Sequence, residues 1–278
     1  MIARALKAHP VAAASLGFIV LVGLMAALAG YLTPFSYEEQ IIAERLQGPS
    51  LRHWMGTDIL GRDLYSRIVY GARMSLAVGV LTAAFALTLG TLTGAVAGYW
   101  GGRIDAMLMR IVDFFYIFPV LLMAILLMLV LGRGFLGIFA ALGLASWVTQ
   151  ARLVRGMVIQ AREQPYVEAA RSLGLRGGRI IVRHILPNLW GPIVVSLTFQ
   201  IPTNIMAESF LSFIGLGLQP PFSSWGTLAN DGFRGMKSYP HLIIYPGGAL
   251  FLTMLAFNYL GDGIRDWLDP KSQAGGIA

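Results

Sequence analysis

Long apolar runs alternate with short charged segments along the whole chain. Residues 11–32 carry no charged side chain, and the run is long enough to cross a hydrocarbon core of about 30 Å as a helix. Similar runs cover about 72–99, 111–131, 135–151, 189–214 and 242–260, each with at most one charged residue. The pattern predicts an all-α, polytopic membrane protein of about six transmembrane helices. A basic start followed by an apolar run is also how a cleaved signal peptide begins, and Ala27-Leu28-Ala29 is similar to a cleavage site. The run exceeds the usual length of such a segment, which favours a retained span.

The connections between runs differ in kind. Residues 33–70 mix the acids Glu38, Glu39, Glu44, Asp58 and Asp63 with Arg45, Arg52, Arg62 and Arg67, whereas residues 152–188 are strongly basic, with Arg152, Arg155, Arg162, Arg171, Arg176, Arg179 and Arg183. Positive charge is retained in the cytoplasm, so the basic stretch is placed inside. Six spans then put both termini inside, and 33–70 and 215–240 outside. The segments follow: 1–70, an N-terminal span and extracytoplasmic stretch; 71–265, the transmembrane domain with its cytoplasmic loop at about 163–187; and 266–278, a cytoplasmic tail.

Within the runs, the exceptions to apolarity are informative. Gly90, Gly94 and Gly98 fall on one helix face and predict a close helix–helix seam. Asp113, at the inner end of its span, is expected to pair with Arg110 three residues earlier. Leu131-Gly132-Arg133-Gly134 reads as a tight outer turn. Pro192 and Pro202 predict a kinked span. The same span holds Glu208, a carboxylate at membrane depth that reads either as a pathway or gate residue or as a structural hydrogen-bonding group. Trp225 and Tyr239 in the second outer loop read as interface anchors.

Composition changes the picture only by exclusion. Of 278 residues, 56% are hydrophobic and 13% charged, against roughly 25% charged in soluble proteins. There is no cysteine, and His9, His53, His184 and His241 are scattered, so no metal site is expected. The net charge of +7 is distributed by membrane side rather than as a stripe interleaved with aromatics, so no nucleic-acid partner is expected beside membrane lipid.

The most specific chemistry lies in 164–188, QPYVEAARSLGLRGGRIIVRHILPN. Pro165 suits a first helical turn, Tyr166, Val167, Ala170 and Leu173 form an apolar stripe, and Gly174 suits a left-handed cap. A second amphipathic piece, 179–185, is expected to stop at Pro187. An amphipathic hairpin between spans cannot sit in hydrocarbon, so it lies at the surface or docks on a partner. On the residues alone both outcomes stand.

The order Glu168-Ala169-Ala170, three residues, Gly174, nine residues, then His184-Ile185-Leu186-Pro187 resembles the EAA loop of ABC importer permeases, with His184 where the general pattern has Ile. The stretches 53–76 and 208–226 resemble the dipeptide, oligopeptide and nickel branch of that family, as does Asp262, Arg265, Asp266, Asp269 near the end. The resemblance covers most of the chain and implies an ABC importer type I permease fold in the cell membrane. It implies that Glu168, Ala169, Ala170, Gly174, Ile185, Leu186 and Pro187 form a loop coupled to separate ATPase subunits. It also implies a second permease subunit, two ATP-binding cassette subunits and an extracytoplasmic substrate-binding protein. Peptide is the implied substrate, with nickel or another small solute as the alternative. Asp58, Arg62 and Asp63, in Gly-Thr-Asp-x-x-Gly-Arg-Asp, read as an extracytoplasmic contact or as a local ion-pair and turn network.

No Gly-x-x-x-x-Gly-Lys-Ser/Thr phosphate loop occurs, so ATP would be bound by partner subunits and no cofactor is expected here. No Gly-x-Ser-x-Gly or His-Glu-x-x-His pattern supports an enzyme. An ATP-independent secondary transporter remains the alternative from another class; no internal repeat supports it.

Overall fold

In the computed structural model, residues 10–132, 134–219 and 221–268 are described. Arg4, Lys7, Arg133, Asp269 and Lys271 lie outside the described residues. The elements are α1 (Pro10–Ala27), α2 (Ala29–Leu32), α3 (Leu64–Trp100), α4 (Gly102–Tyr116), α5 (Val120–Leu131), α6 (Phe135–Arg162), α7 (Pro165–Ser172), α8 (Gly177–Ile180), α9 (Leu186–Phe213), α10 (Trp225–Phe233) and α11 (His241–Leu268). Among the described residues, five helices are long and apolar enough to cross a membrane, or six if the bent pair α4 and α5 is counted as one span.

Helix α3 sets the frame. Its 37 residues extend about 55 Å at 1.5 Å per residue, well beyond a ~30 Å hydrocarbon core. The hydrophilic assemblies at its two ends therefore lie on opposite sides of a bilayer. At its start, Leu64, Ile68 and Ala72 pack with Ala26, Trp225, Leu228 and Leu242. Near its other end, Ala95 joins Val154 and Val158 of α6, Val167 and Ala170 of α7, and Ile193 of α9. The expected boundary at residue 70 falls inside this helix.

The glycine seam is present. Built onto Gly94, a β-carbon would come 2.5 Å from the Ala151 carbonyl oxygen and 2.8 Å from the Arg155 nitrogen. On Gly90 it would meet the Gln150 side chain at 2.7 Å, and on Gly98 the Arg155 carbonyl oxygen at 2.8 Å. Backbone-to-backbone approach of α3 and α6 thus requires hydrogen at these three positions.

Three expectations are corrected. The run 111–131 is not one straight helix: α4 and α5 meet at 87°. Pro119 caps the start of α5, and a residue ahead of proline is disfavoured in helical geometry, so the chain turns there. Pro187 does not stop its helix. A π-helical turn, Ile181–Ile185, with the Leu186 N–H bonded to the Ile181 carbonyl, widens the coil before the proline, and the helix runs on through Pro192 and Pro202. Asp113 lies 3.3 Å from Arg152 of α6 rather than pairing with Arg110, because α4 folds back against α6.

Trp225 is also not an interface anchor. It is 1% exposed, its indole N–H donates to the Ile68 carbonyl at 3.0 Å, and its backbone N–H donates to Ser75 Oγ at 3.1 Å. It opens α10, a helix the loop reading missed. The signal was available: Ser224 and Thr227 form a reciprocal capping box, each side chain bonded to the other's backbone N–H.

Candidate functional site

At the Ala95 end of α3, α7 follows α6 after a two-residue break. Pro165 fills its first turn, where the missing N–H costs nothing. The helix ends in a Schellman arrangement: Gly174 N–H bonds the Arg171 carbonyl at 2.9 Å, and Leu175 N–H bonds Ala170 at 3.2 Å. Gly174 adopts φ +75°, the left-handed geometry inferred from its position.

The apolar stripe divides in two. Val167 and Ala170 are buried in the core shared with α3, α6 and α9, together with Ile180, Ile181 and Ile185. Tyr166, Glu168, Ala169, Arg171 and Leu173 are exposed, with Leu173 at 81%. One face of α7 therefore anchors the helix and the other is presented outward. Of the remaining motif residues, Ile185 is fully buried, Leu186 half-buried and Pro187 exposed. The segment is also attached to the end of α3: Arg171 lies over the Tyr99 ring at 5.4 Å, and Gly177 packs on Tyr99.

The helix feeding α7 is bolted to its neighbours. Arg155 makes two 2.6 Å bonds to Asp105 of α4, one to each carboxylate oxygen. Such bidentate pairs fix direction as well as distance. Arg162 reaches back to the Gly98 carbonyl at 3.0 Å. A force applied to the outer face of α7 thus reaches α3, α4, α6 and α9 through packed contacts.

At the opposite end, Asp58, Arg62 and Asp63 are tied into the protein itself. Asp58 Oδ1 accepts the backbone N–H groups of Leu60 and Arg62, while Oδ2 pairs with Arg62 at 2.7 Å and Arg67 at 2.6 Å. Arg67 also reaches Asp231 at 3.2 Å, linking the segment to α10. Asp63 caps α3 through the Ser66 N–H at 2.8 Å. Its other oxygen is 2.9 Å from His53 Nδ1, whose Nε2 is 3.0 Å from Glu44. His53 is 1% exposed and stacks on Phe35. Sequence reading treated His53 only as a scattered histidine; its ten-residue separation from Asp63 carries no helical or strand periodicity that would reveal the contact. The geometry is that of the turn and ion-pair network.

Glu208 is fully buried and hydrogen-bonded to Ser212 at 2.7 Å, with Ser209 at 3.4 Å. Ser212 in turn approaches Ser224, the cap of α10. This carboxylate ties α9 to α10. It does not line the nearby cavity of about 360 Å³ between α6 and α9, whose wall includes Ser146, Gln150, Ser196, Gln200 and Asn204.

Comparison with known proteins decides the family. The model for "Binding-protein-dependent transport system inner membrane component" matches residues 87–273, and that for "N-terminal TM domain of oligopeptide transport permease C" matches residues 1–49. The chain belongs to the binding-protein-dependent transport permeases. It is 46% identical to the dipeptide transport system permease protein DppC of Bacillus subtilis, over 96% of this chain and 84% of the relative. Identity to the oligopeptide permease protein OppC of the same organism is 42%, over 95% of this chain and 87% of that protein. The glutathione permease protein GsiD of Pectobacterium atrosepticum is 43% identical, over 96% of this chain and 89% of its own length.

Among solved structures, the permease resembles the inward-facing MetNI methionine ABC transporter, with TM-score 0.59, 18% identity, and coverage of 74% of this chain and 98% of that one. An amino acid ABC transporter solved with histidines gives TM-score 0.56 at 20% identity, covering 73% and 93%. These likenesses establish the fold. The permease is thus the membrane subunit of an ABC importer, which works with ATP-binding and substrate-binding partners.

Proposed function

We propose that this permease carries peptides across the cytoplasmic membrane and that α7 with its Gly174 cap is where ATP-driven motion enters. The observation that carries the coupling role is the two-faced helix: Val167 and Ala170 locked into the bundle core, Tyr166, Glu168, Ala169 and Leu173 turned outward. An exposed apolar patch flanked by charge on a short, rigidly mounted helix suits a protein groove. The peptide assignment is supported by relatives named for dipeptide, oligopeptide and glutathione transport.

In this account the basic α7 side is cytoplasmic, both termini are inside, and the 33–63 segment is outside, facing the substrate-binding protein. A second permease of similar fold and two ATP-binding subunits complete the complex. Closure of the ATPase pair displaces α7, and the attached spans tilt to change the accessible side. The helix transmits work only if it contacts the closed and open ATPase states differently.

Cysteines placed singly at Tyr166, Ala169 and Leu173 in this naturally Cys-free chain test the contact. In assembled, active complexes they are expected to crosslink to the ATP-binding subunit with a yield that changes on ATP addition. Cysteine at Val167, buried against the chain's own core, is expected not to. Free labelling of all three exposed positions, with no partner captured, contradicts the coupling role.

A further inference from the structure

Arg155 sits where three helices meet, about two turns before the end of α6 that carries α7. Its backbone lies against α3: a β-carbon built on Gly94 would come 2.8 Å from the Arg155 nitrogen, and one on Gly98 would come 2.8 Å from its carbonyl oxygen. Its side chain goes instead to α4, with 2.6 Å bonds to both carboxylate oxygens of Asp105. One turn earlier on α6, Arg152 lies 3.3 Å from Asp113 and 4.1 Å from the centre of the Tyr116 ring. Helix α4 is therefore tied to α6 in its first turn and again in its last, with Val112 fully buried between the two ties.

What α4 leads to sets it apart from α3. The long helix α3 runs unbroken for 37 residues and is held to α6 by the glycine seam. The α4–α5 span instead turns by 87° at 117–119. Hinges form at element-terminal residues of this kind, where a change of φ and ψ disturbs little helical bonding. Ile117 in the break is 77% exposed, and Val120, just beyond it, is 46% exposed and lines the α6–α9 cavity. The strength of the Arg155–Asp105 pair points the same way. With side chains 35% and 18% exposed, it is screened by water and contributes little to stability. What the bidentate geometry supplies is direction.

We propose that Arg155 and Asp105 are a positioning pair that carries the displacement of α7 into α4 and, through the break at 117–119, moves Val120 in the wall of the α6–α9 cavity. The proposal rests on the coupling role of α7 given above and adds the route from that helix to the cavity. Asp105 meets neither cargo nor ATPase in this scheme; it acts through α4. Because α4 is held at both ends, it turns as the inner end of α6 turns, and the bend at 117–119 passes that rotation to the start of α5.

The complete transporter in liposomes, with ATP inside and binding protein outside, gives two readouts. One is alanyl-alanine imported per ATP hydrolysed. The other is maleimide labelling of Val120→Cys, read on a chain that has no cysteine of its own. With Asp105 intact, the labelling rate is expected to change severalfold on ATP addition. Asp105→Asn keeps the size and removes the charge. It is expected to assemble and hydrolyse ATP at close to the wild-type rate, while import per ATP falls about tenfold, within the usual range of coupling between sites. The response of the Val120→Cys label to ATP is expected to vanish with it. Import and hydrolysis that fall in proportion overturn the proposal, because loss of folded transporter lowers both alike. Failure of Asp105→Asn to assemble also overturns it, since the pair would then be holding the fold. So does a label that ignores ATP in a coupled transporter with Asp105 intact, or that responds equally with and without the substitution. If Leu173→Cys captures no ATP-binding subunit, the coupling role of α7 fails and the pair with it; capture together with a fully coupled Asp105→Asn removes the pair alone.

Discussion

At Gly174 a single backbone angle decides what the sequence tolerates. The φ of +75° is open to glycine and costs other residues about 1–2 kcal/mol. Nothing lies within 4 Å of where its β-carbon would be, so a substitution there meets strain without a clash. Gly174→Val is therefore expected to leave the permease inserted and assembled but to loosen the cap that aims α7. Binding-protein-stimulated ATP hydrolysis measured alongside uptake should show hydrolysis retained and uptake reduced severalfold. At the other end, Asp63→Ala removes the α3 cap and one partner of buried His53. Loss of such a cap costs about 1 kcal/mol, with a further about 1–3 kcal/mol for the unpaired group. A lowered thermal unfolding midpoint in detergent, with a smaller drop for Asp63→Asn, is the expected result. Gly174 was legible because a helix stop needs a left-handed residue at a fixed place. His53 was not, because its partners come from loop geometry that no periodicity encodes.

Among the elements, the seam between α3 and α6 is the firmest link between sequence and packing. Glycines four residues apart can only stack on one face, and at each the facing atoms leave no room for a methyl group. Gly94→Val is expected to push the backbones apart and cost about 1–3 kcal/mol or more. Size-exclusion analysis of the solubilised chain should show less folded material, whereas the same change at Gly156, with open space around it, should be tolerated. The apolar runs located the long spans because length and hydropathy are set by the bilayer. They did not reveal the 87° break at Pro119 or the π turn at Ile181–Ile185. Both depend on how a proline is accommodated, and the sequence alone allows it to end a helix or to be absorbed by one. For α10 the start was legible in Ser224 and Thr227, but burial of Trp225 was not, because it depends on Ser75 and Ile68 from a helix distant in sequence.

For the molecule as a whole, α7 and the Asp58–Asp63 network sit at opposite ends of one long helix, joined by a bundle with few polar interruptions. Arg155 and Asp105, the glycine seam, and the shared core of Val154, Val158, Val167 and Ile193 attach the α7 end to the spans. Permease family was legible in the order of 164–188, since the motif sets several residue types at fixed spacing; which face of α7 is presented outward became clear only from burial. The division of labour among subunits follows from a chain with no phosphate loop joined to a family of binding-protein-dependent permeases. The most direct measurement is peptide uptake into proteoliposomes containing the full complex, with ATP and an imposed proton gradient varied independently. Uptake that requires both internal ATP and external binding protein, and persists without any ion gradient, is the predicted result. Uptake driven by the gradient with ATP absent would contradict the account and identify a secondary transporter.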